Sequence, residues 1–191
     1  MRTINLPGSN CRSSGMCLAS SVVALLAAIL LTSCGDHGGG STAGSAPAYS
    51  YGTKISFATA GNAAPYRVSG WSDPEEQFTW TEGDTAVLAI RVPATEEGVA
   101  LKIRANGFTN PPDLPAQPVE VSVNNRKIAD WELGEVAEHS AILPPELVKE
   151  GGLLTFTFKM PKAVPPKAAG KGDDPRVLGM CVHEVEIRKV G

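Results

Sequence analysis

Apolar and polar side chains alternate along three stretches of the chain. In residues 98–106, 118–124 and 153–160, every second residue is apolar and most of its neighbours are polar or charged. A period of two places successive side chains on opposite faces of a β-strand, so these segments are predicted to be strands with one buried face. Residues 85–92 (TAVLAIRV) are apolar on both faces, which predicts a central strand.

Turn residues separate these segments. Asn124-Asn125 lies between two such runs and predicts a hairpin, because Asn tolerates a positive φ. One short helical turn is predicted in residues 143–152 (LPPELVKEGG), with Pro145 near its start and Gly151 as its stop. Many short strands, with no alternation of helices and strands, predict an all-β fold. The expected architecture is an antiparallel, jelly-roll-like β-sandwich with at most one short helix.

The N-terminus carries an apolar run at residues 18–31 that ends in Leu31-Thr32-Ser33-Cys34. A membrane span needs about 20 apolar residues and a signal peptide about 7–15, so the fourteen residues of this run indicate an export signal at 1–33. The last four residues resemble the lipobox of bacterial lipoproteins, in which the cysteine is joined to a diacylglycerol. The alternatives are an ordinary signal peptide with a chance cysteine, or an uncleaved anchor.

The lipobox resemblance implies that Cys34 is acylated and holds the protein on a membrane of the bacterial cell envelope. Gly35 follows this cysteine in place of Asp. In the enterobacterial sorting pattern this resembles an outer-membrane address, so the outer membrane is favoured over the inner one. Residues 34–53 are rich in Gly, Ser and Ala and are predicted to be a flexible tether, whereas 54–191 are predicted to form one sandwich domain.

Removal of the signal changes the charge and the cysteine count. Without Arg2 and Arg12, 15 basic and 20 acidic side chains remain, a net charge of −5. Nucleic-acid binding relies on a basic face, so no nucleic-acid partner is predicted. Cys181 is the one cysteine left with a free thiol, which predicts no internal disulfide and a small buried apolar side chain.

The sequence carries no convincing catalytic motif. His183-Glu184 begins like H-E-x-x-H, but Ile187 stands where the second histidine is required, and no G-x-S-x-G is present. The protein is therefore predicted not to be an enzyme, with a glycoside-active enzyme built from distant carboxylates as an alternative. No cofactor is predicted. Acidic residues near turns are compatible with a structural calcium ion, although no D-x-D-x-D spacing is present.

Two of the three tryptophans lie in residues 70–80 (GWSDPEEQFTW). Trp71 and Trp80 are candidates either for a sugar-binding platform or for a corner that closes the end of the sandwich. Trp131 is a third candidate platform, for which core packing is favoured. Residues 162–175 are rich in Pro, Gly, Lys and Asp and are read either as a lid or as a surface insertion.

Several short motifs together resemble a β-sandwich domain of unknown function. They are Gly70-Trp71-Ser72 with Glu75, Trp80 with Gly83, and Asp174 with Arg176, Leu178 and Gly179. Relatives in that family are extracytoplasmic parts of membrane glycosyltransferases, surface-polysaccharide proteins and lipoproteins. The resemblance implies an envelope-polysaccharide context without a proven activity. Gln77-Phe78 departs from the family pattern, in which a glycine is common.

The candidate ligand-binding residues are Trp71, Glu75, Trp80, Asp174 and Arg176. The tryptophans would pack on sugar rings, and the charged groups would hydrogen-bond hydroxyls or a uronic-acid carboxylate. The competing interpretation has Arg176 pairing with Glu75 or Asp174 to pin a loop. The predicted function is a membrane-anchored, carbohydrate-binding-like module. The main alternative is an accessory subunit that docks on envelope proteins that make or export polysaccharide.

Overall fold

The computed structural model describes residues 46–190. The predicted signal peptide (1–33), the predicted acylation site Cys34 and residues 35–45 of the predicted tether lie outside the described residues.

Ten strands in the described residues form two antiparallel sheets. They are β1 (Lys54–Ser56), β2 (Arg67–Ser69), β3 (Thr79–Glu82), β4 (Thr85–Val92), β5 (Gly98–Gly107), β6 (Gln117–Val123), β7 (Arg126–Leu133), β8 (Ala137–Ile142), β9 (Gly152–Lys159) and β10 (Leu178–Val190). Sheet I has the order β1-β10-β5-β8, with β3 pairing with the part of β10 that β1 leaves free. Sheet II has the order β2-β4-β9-β6-β7. The predicted all-β antiparallel sandwich is confirmed.

The predicted strands occur where the alternating pattern placed them. The three alternating segments correspond to β5, β6 and β9, and burial alternates strictly along β6 and most of β9. The strand apolar on both faces is β4, which lies between β2 and β9 in sheet II. The apolar sides of both sheets meet in one core, in which Phe156, Phe158 and Leu101 are fully buried.

The Asn124-Asn125 turn joins β6 to β7, as predicted. Its two residues have φ values of 47° and 65°, the left-handed conformation that a two-residue hairpin of type I′ requires. The Asn124 side chain also accepts a hydrogen bond from the backbone N–H of Thr155, at 2.8 Å from nitrogen to oxygen. The side chain therefore ties the hairpin to the neighbouring strand β9.

Helical structure in the described residues is limited to two short 3₁₀ turns. Pro145–Leu147 lies inside the segment predicted to be helical, and Ala64–Tyr66 forms a second turn that was not predicted. No helix within residues 46–190 has the length and apolar character needed to cross a membrane.

Residues 46–53, which the sequence assigned to the tether, pack on the sandwich. Tyr49 is only 3% exposed, and its backbone N–H donates to the carbonyl of Arg91 in β4 at 2.8 Å. The Gly52 N–H donates to the carbonyl of Ile187 in β10, also at 2.8 Å. The packed domain therefore begins before Lys54.

Candidate functional site

The five predicted site residues separate into three environments. Trp71 packs against the core between the sheets. Asp174 and Arg176 form a local ion pair, with Glu75 at its margin. Trp80 lies on the outer face of sheet I, away from the core. The structure therefore brings Glu75, Asp174 and Arg176 together and divides the two tryptophans between a structural and a surface position.

Trp71 is held in a structural position. Its indole Nε1–H donates to the backbone carbonyl of Val87 at 2.9 Å, and its ring lies 5.0 Å from that of Phe57, centroid to centroid. Gly70 makes this position possible, because a Cβ there would lie 2.0 Å from the carbonyl oxygen of Thr85. This geometry corresponds to the corner interpretation for Trp71. One edge of the ring also lines a shallow polar groove of about 250 Å³.

Asp174 and Arg176 form a two-point ion pair. Arg176 Nη2 lies 2.7 Å from Asp174 Oδ2, and the Arg176 backbone N–H donates to Asp174 Oδ1 at 2.9 Å. Hydrogen bonds from the Arg176 side chain, followed by the one from its backbone, lower the pKa of Asp174. Glu75 Oε1 is 3.9 Å from the same guanidinium. With its guanidinium occupied in this way, Arg176 fits the loop-pinning alternative of the sequence prediction.

Trp80 is placed on the outer face by its neighbours in β3. The Thr79 hydroxyl donates to the carbonyl of Phe57 at 2.6 Å, and the Thr81 hydroxyl accepts from the N–H of Met180 at 2.8 Å, both in the buried interior. Side chains alternate along a strand, so Trp80 points to the opposite side. This tryptophan is therefore not required to close the core.

Two further rings lie beside Trp80. The ring of Phe78 is 6.3 Å from that of Trp80 in an edge-to-face arrangement, and 5.5 Å from the imidazole of His183. His183 Nε2 is 3.4 Å from Oδ1 of Asn106 on β5. We call Phe78, Trp80 and His183 the aromatic strip. All three side chains are half-buried, and the strip continues into a polar amide at Asn106.

A register shift in β10 contributes to the strip. The pairing between β10 and β5 shifts between Val182 and Glu184, which leaves His183 without a directly paired residue on β5. Regular alternation would place His183 and Glu184 on opposite faces of the strand, but the bulge interrupts it here, and both side chains remain partly exposed. Burial, and secondarily the guanidinium of Arg104, lower the pKa of His183.

Cys181 forms the floor beneath the strip. It pairs directly with Trp80 on β3 and with Asn106 on β5, so its side chain points to the same outer face. It is nevertheless only 2% exposed, as expected for a residue covered by its neighbours. Burial, with a smaller effect from the Glu75 carboxylate, raises the pKa of its thiol to about 12. The prediction of a small buried cysteine is confirmed.

The sequence prediction missed Phe78, His183 and Asn106. Asn106 lies on the polar face of a predicted strand, two residues from Arg104. Its position on that polar face is the one sequence feature that points to a surface role for Asn106. Phe78 and His183 reach the strip through a loop and a bulge, neither of which has a periodic signature. Trp131, the third candidate platform, is 8% exposed and packs between the rings of His139 and Phe158, as the core interpretation predicted.

A second cavity lies between two loops at the surface. It has a volume of about 340 Å³ and is lined mainly by Leu114, Val164 and Ala169, with Asn110, Asp113 and Lys162 also contributing. Backbone hydrogen bonds organise the 162–175 segment, including a mutual pair between Val164 and Leu178. The segment is therefore a folded insertion on the sandwich.

Within residues 46–190, no three His, Cys, Asp or Glu side chains come close enough to hold a metal ion. Of the acidic residues in the 70–84 stretch, Glu82 accepts from the Ser72 hydroxyl at 3.1 Å and Asp84 accepts from the Thr85 hydroxyl at 3.0 Å. The structural calcium ion stays a prediction.

No protein-family model matches the sequence. No curated protein matches it. Among solved structures, the chain is similar to a family GH115 4-O-methyl-α-glucuronidase with specificity for decorated arabinogalactans, at 12% identity and a TM-score of 0.45. That match covers 75% of this chain and 18% of the glucuronidase.

Two carbohydrate-binding modules are also similar in structure. A family 35 module from Clostridium thermocellum has 10% identity and a TM-score of 0.42, over 72% of this chain and 99% of the module. The module CBM36, solved in complex with calcium and xylotriose, has 8% identity and a TM-score of 0.37, over 71% of this chain and 98% of the module.

Proposed function

We propose that the protein is a non-catalytic β-sandwich that binds polysaccharide of the bacterial cell envelope and is held there by an acylated Cys34. The binding site is the aromatic strip on the outer face of sheet I. Trp80 provides the central contact, and the flanking Asn106 and Glu75 provide hydrogen bonds to sugar hydroxyls.

The position of Trp80 carries the proposal. Its large apolar ring lies on a solvent-facing sheet surface, next to Phe78 and His183, and takes no part in the core. Sugar rings present C–H groups that pack on aromatic faces, while their hydroxyls need polar partners at the rim. The 3.4 Å approach of Asn106 to His183 places an amide at one end of the strip. The backbone N–H of Glu75 donates to the carbonyl of Phe78 at 2.7 Å, so Glu75 lies beside the strip.

The chemistry of the surrounding groups supports a binding role in preference to catalysis. With a pKa of about 12, the Cys181 thiol is protonated at neutral pH and is not a nucleophile. His183 approaches the neutral amide of Asn106, and no carboxylate or hydroxyl orients it as a general base within residues 46–190. The strip therefore offers contact area and hydrogen bonds without an activated group.

The lipid anchor rests on the N-terminal sequence. The lipobox-like residues 31–34 directly follow an apolar run of signal-peptide length. A diacylglycerol on Cys34 adds two acyl chains, each buried methylene contributing about 0.8 kcal/mol, which gives stable membrane attachment. A binding surface attached in this way acts at the envelope, where surface polysaccharide is concentrated.

The test is binding by the full-length protein, purified in detergent, to a panel of soluble neutral and acidic polysaccharides. Affinity gel electrophoresis measures the retardation of the protein by each polymer. We expect Trp80→Ala to weaken binding about ten-fold, because an aromatic contact contributes about 0.5–1.5 kcal/mol beyond its buried area.

Ile142→Ala is the matched control. Ile142 is 63% exposed and lies on the same face of sheet I, opposite Ala100 and thus six residues along β5 from Asn106. The Ile142→Ala substitution removes an exposed apolar side chain about 20 Å from the strip and should leave binding unchanged. Urea unfolding of both variants verifies that the fold is intact. Failure of the wild type to bind any polymer, or wild-type binding by a folded Trp80→Ala variant, contradicts the proposal.

A further inference from the structure

Three cationic side chains occupy the part of sheet I next to the strip, and two of them are paired. Lys54 Nζ lies 2.9 Å from Glu184 Oε1, and Lys102 pairs with Glu138. Arg104 is exposed and forms no ion pair within the described part of the chain, although its cross-strand neighbours are these same two glutamates. Both carboxylates that Arg104 faces are therefore engaged by lysines, and its guanidinium remains available.

Arg104 lies at one end of the aromatic strip. It is two residues from Asn106 on the same face of β5, which separates their Cα atoms by about 7 Å. Asn106 in turn contacts His183. The Arg104 charge is close enough to His183 to contribute to lowering the pKa of its imidazole. A sugar packed on the strip can therefore extend a substituent to this guanidinium.

A carboxylate also lies beside the strip. The backbone N–H of Glu75 donates to the carbonyl of Phe78 at 2.7 Å, and the cation nearest to its carboxylate is Arg176 at 3.9 Å. Arg176 is already held by Asp174. A negatively charged group is therefore disfavoured beside Glu75, whereas around Arg104 the carboxylates of Glu138 and Glu184 are each paired with a lysine.

We propose that Arg104 makes the site selective for acidic polysaccharides by binding the carboxylate of a uronic-acid residue whose ring packs on the aromatic strip. This inference rests on the proposed function of the strip. The planar guanidinium matches a carboxylate through two parallel hydrogen bonds, a geometry that lysine does not provide. The role that the sequence assigned to Arg176 thus passes to Arg104, because Arg176 is occupied by Asp174.

The test compares polymers that differ only in charge. Polygalacturonate, alginate and hyaluronate are each paired with a carboxyl-reduced counterpart, in which the uronic acid becomes a neutral sugar. Affinity gel electrophoresis of the full-length protein in detergent measures binding to both members of each pair. We expect at least one acidic polymer to bind about ten-fold more tightly than its neutral counterpart, which is the scale of one charge-assisted hydrogen bond.

Three variants assign the preference to a side chain. Arg104→Gln should abolish the preference for the acidic member while keeping the affinity for the neutral one, and Arg104→Lys should retain part of the preference. Arg188→Gln removes an exposed cation from the same face, opposite Ala100, and should behave as wild type. Trp80→Ala should weaken binding of both members.

The outcomes separate the two proposals. Binding of neutral polysaccharides with no preference for any acidic polymer, or a preference that survives Arg104→Gln, refutes the role of Arg104 and leaves the proposed function standing. Absence of binding to every polymer, acidic and neutral, refutes the proposed function and this inference with it.

Discussion

Tyr49→Phe removes one oxygen atom from the point where the N-terminal segment joins the sandwich. Strand β1 pairs with β10 only as far as Glu186, so the backbone N–H of Ile187 has no strand partner on that side. The Tyr49 hydroxyl accepts that hydrogen bond at 2.8 Å and also bonds to the carbonyl of Thr53. The side chain thereby replaces a missing strand at the edge of sheet I.

The expected loss of stability follows from the buried N–H group that loses its acceptor in Tyr49→Phe. The hydroxyl is lost but the Ile187 N–H stays buried, and an unsatisfied buried donor costs about 1–3 kcal/mol. Tyr49 is 3% exposed, so little water is available to satisfy the donor. With a urea m-value of about 1–3 kcal/mol/M, a loss of about 2 kcal/mol lowers the unfolding midpoint by about 1 M.

The same hydroxyl makes a second, independent prediction. Burial raises the pKa of Tyr49 from 10.0 to about 12, against the lowering effect of the hydrogen bond with Ile187. The folded state therefore favours the neutral phenol. This contribution to stability is fully present below pH 10 and is lost as the pH rises from 10 to about 12. Two pKa units correspond to about 3 kcal/mol.

The assay is urea unfolding of the full-length protein in detergent, at pH 7 and at steps between pH 9 and 12. Tyr51→Phe is the matched control, since the Tyr51 hydroxyl donates to the Pro93 carbonyl in an exposed position and its loss should cost less than about 1 kcal/mol. Tyr49→Phe should have a lower midpoint at pH 7 and a smaller alkaline loss than either wild type or Tyr51→Phe. If Tyr49→Phe matches Tyr51→Phe at pH 7 and throughout the alkaline series, the hydroxyl does not have this role.

Two further predictions concern the anchor and the open edge of the sandwich. Cys34→Ser should abolish the acyl mass seen by mass spectrometry and release the protein from the membrane fraction; continued acylation excludes Cys34 as the site. Burial lowers the pKa of His139, whose Nε2 is buried without a hydrogen-bond partner beside Trp131, so neutral imidazole is favoured in the folded state. Wild type should therefore lose stability as the pH falls below 6.5, and His139→Leu should lose less. Urea unfolding at pH 5 and 7.5 measures the difference. Equal acid sensitivity of the two proteins would show that His139 is not the source of the loss.

The sequence predicts strands well where the alternation of wet and buried faces is regular, as in β6, or where an apolar run is unbroken, as in residues 85–92. Strand β6 alternates strictly between buried and partly exposed residues, and its sequence shows the same period. Strand β10 does not, because residues 178–182 are all buried and the bulge at His183 interrupts the pairing. A strand covered on both sides and then shifted in register has no period of two, so the place of His183 on the binding surface had no sequence signal.

The same limit applies to the tryptophans. Trp71 and Trp80 occur in the same turn-rich stretch and are chemically identical, yet one is fixed by a carbonyl in β4 and the other is directed outward by β3. The difference depends on which strand each segment contacts, which is a long-range property. The Asp174–Arg176 pair is the opposite case, because two residues of separation are enough to form it and the sequence already suggested it.

The proposed site also explains why a surface platform belongs on this part of the sandwich. Two buried threonine hydroxyls fix β3 from its inner side, through the 2.6 Å bond from Thr79 and the 2.8 Å bond to Thr81. Trp80 therefore extends from a backbone whose position is set by the core, and Phe78 and Cys181 pack beside and beneath it. A ring held in place before the ligand arrives loses little conformational entropy on binding, so more of the contact energy appears as affinity. Because the outer side chains make no core contacts, they can be exchanged for different ligands without disturbing the fold that holds them.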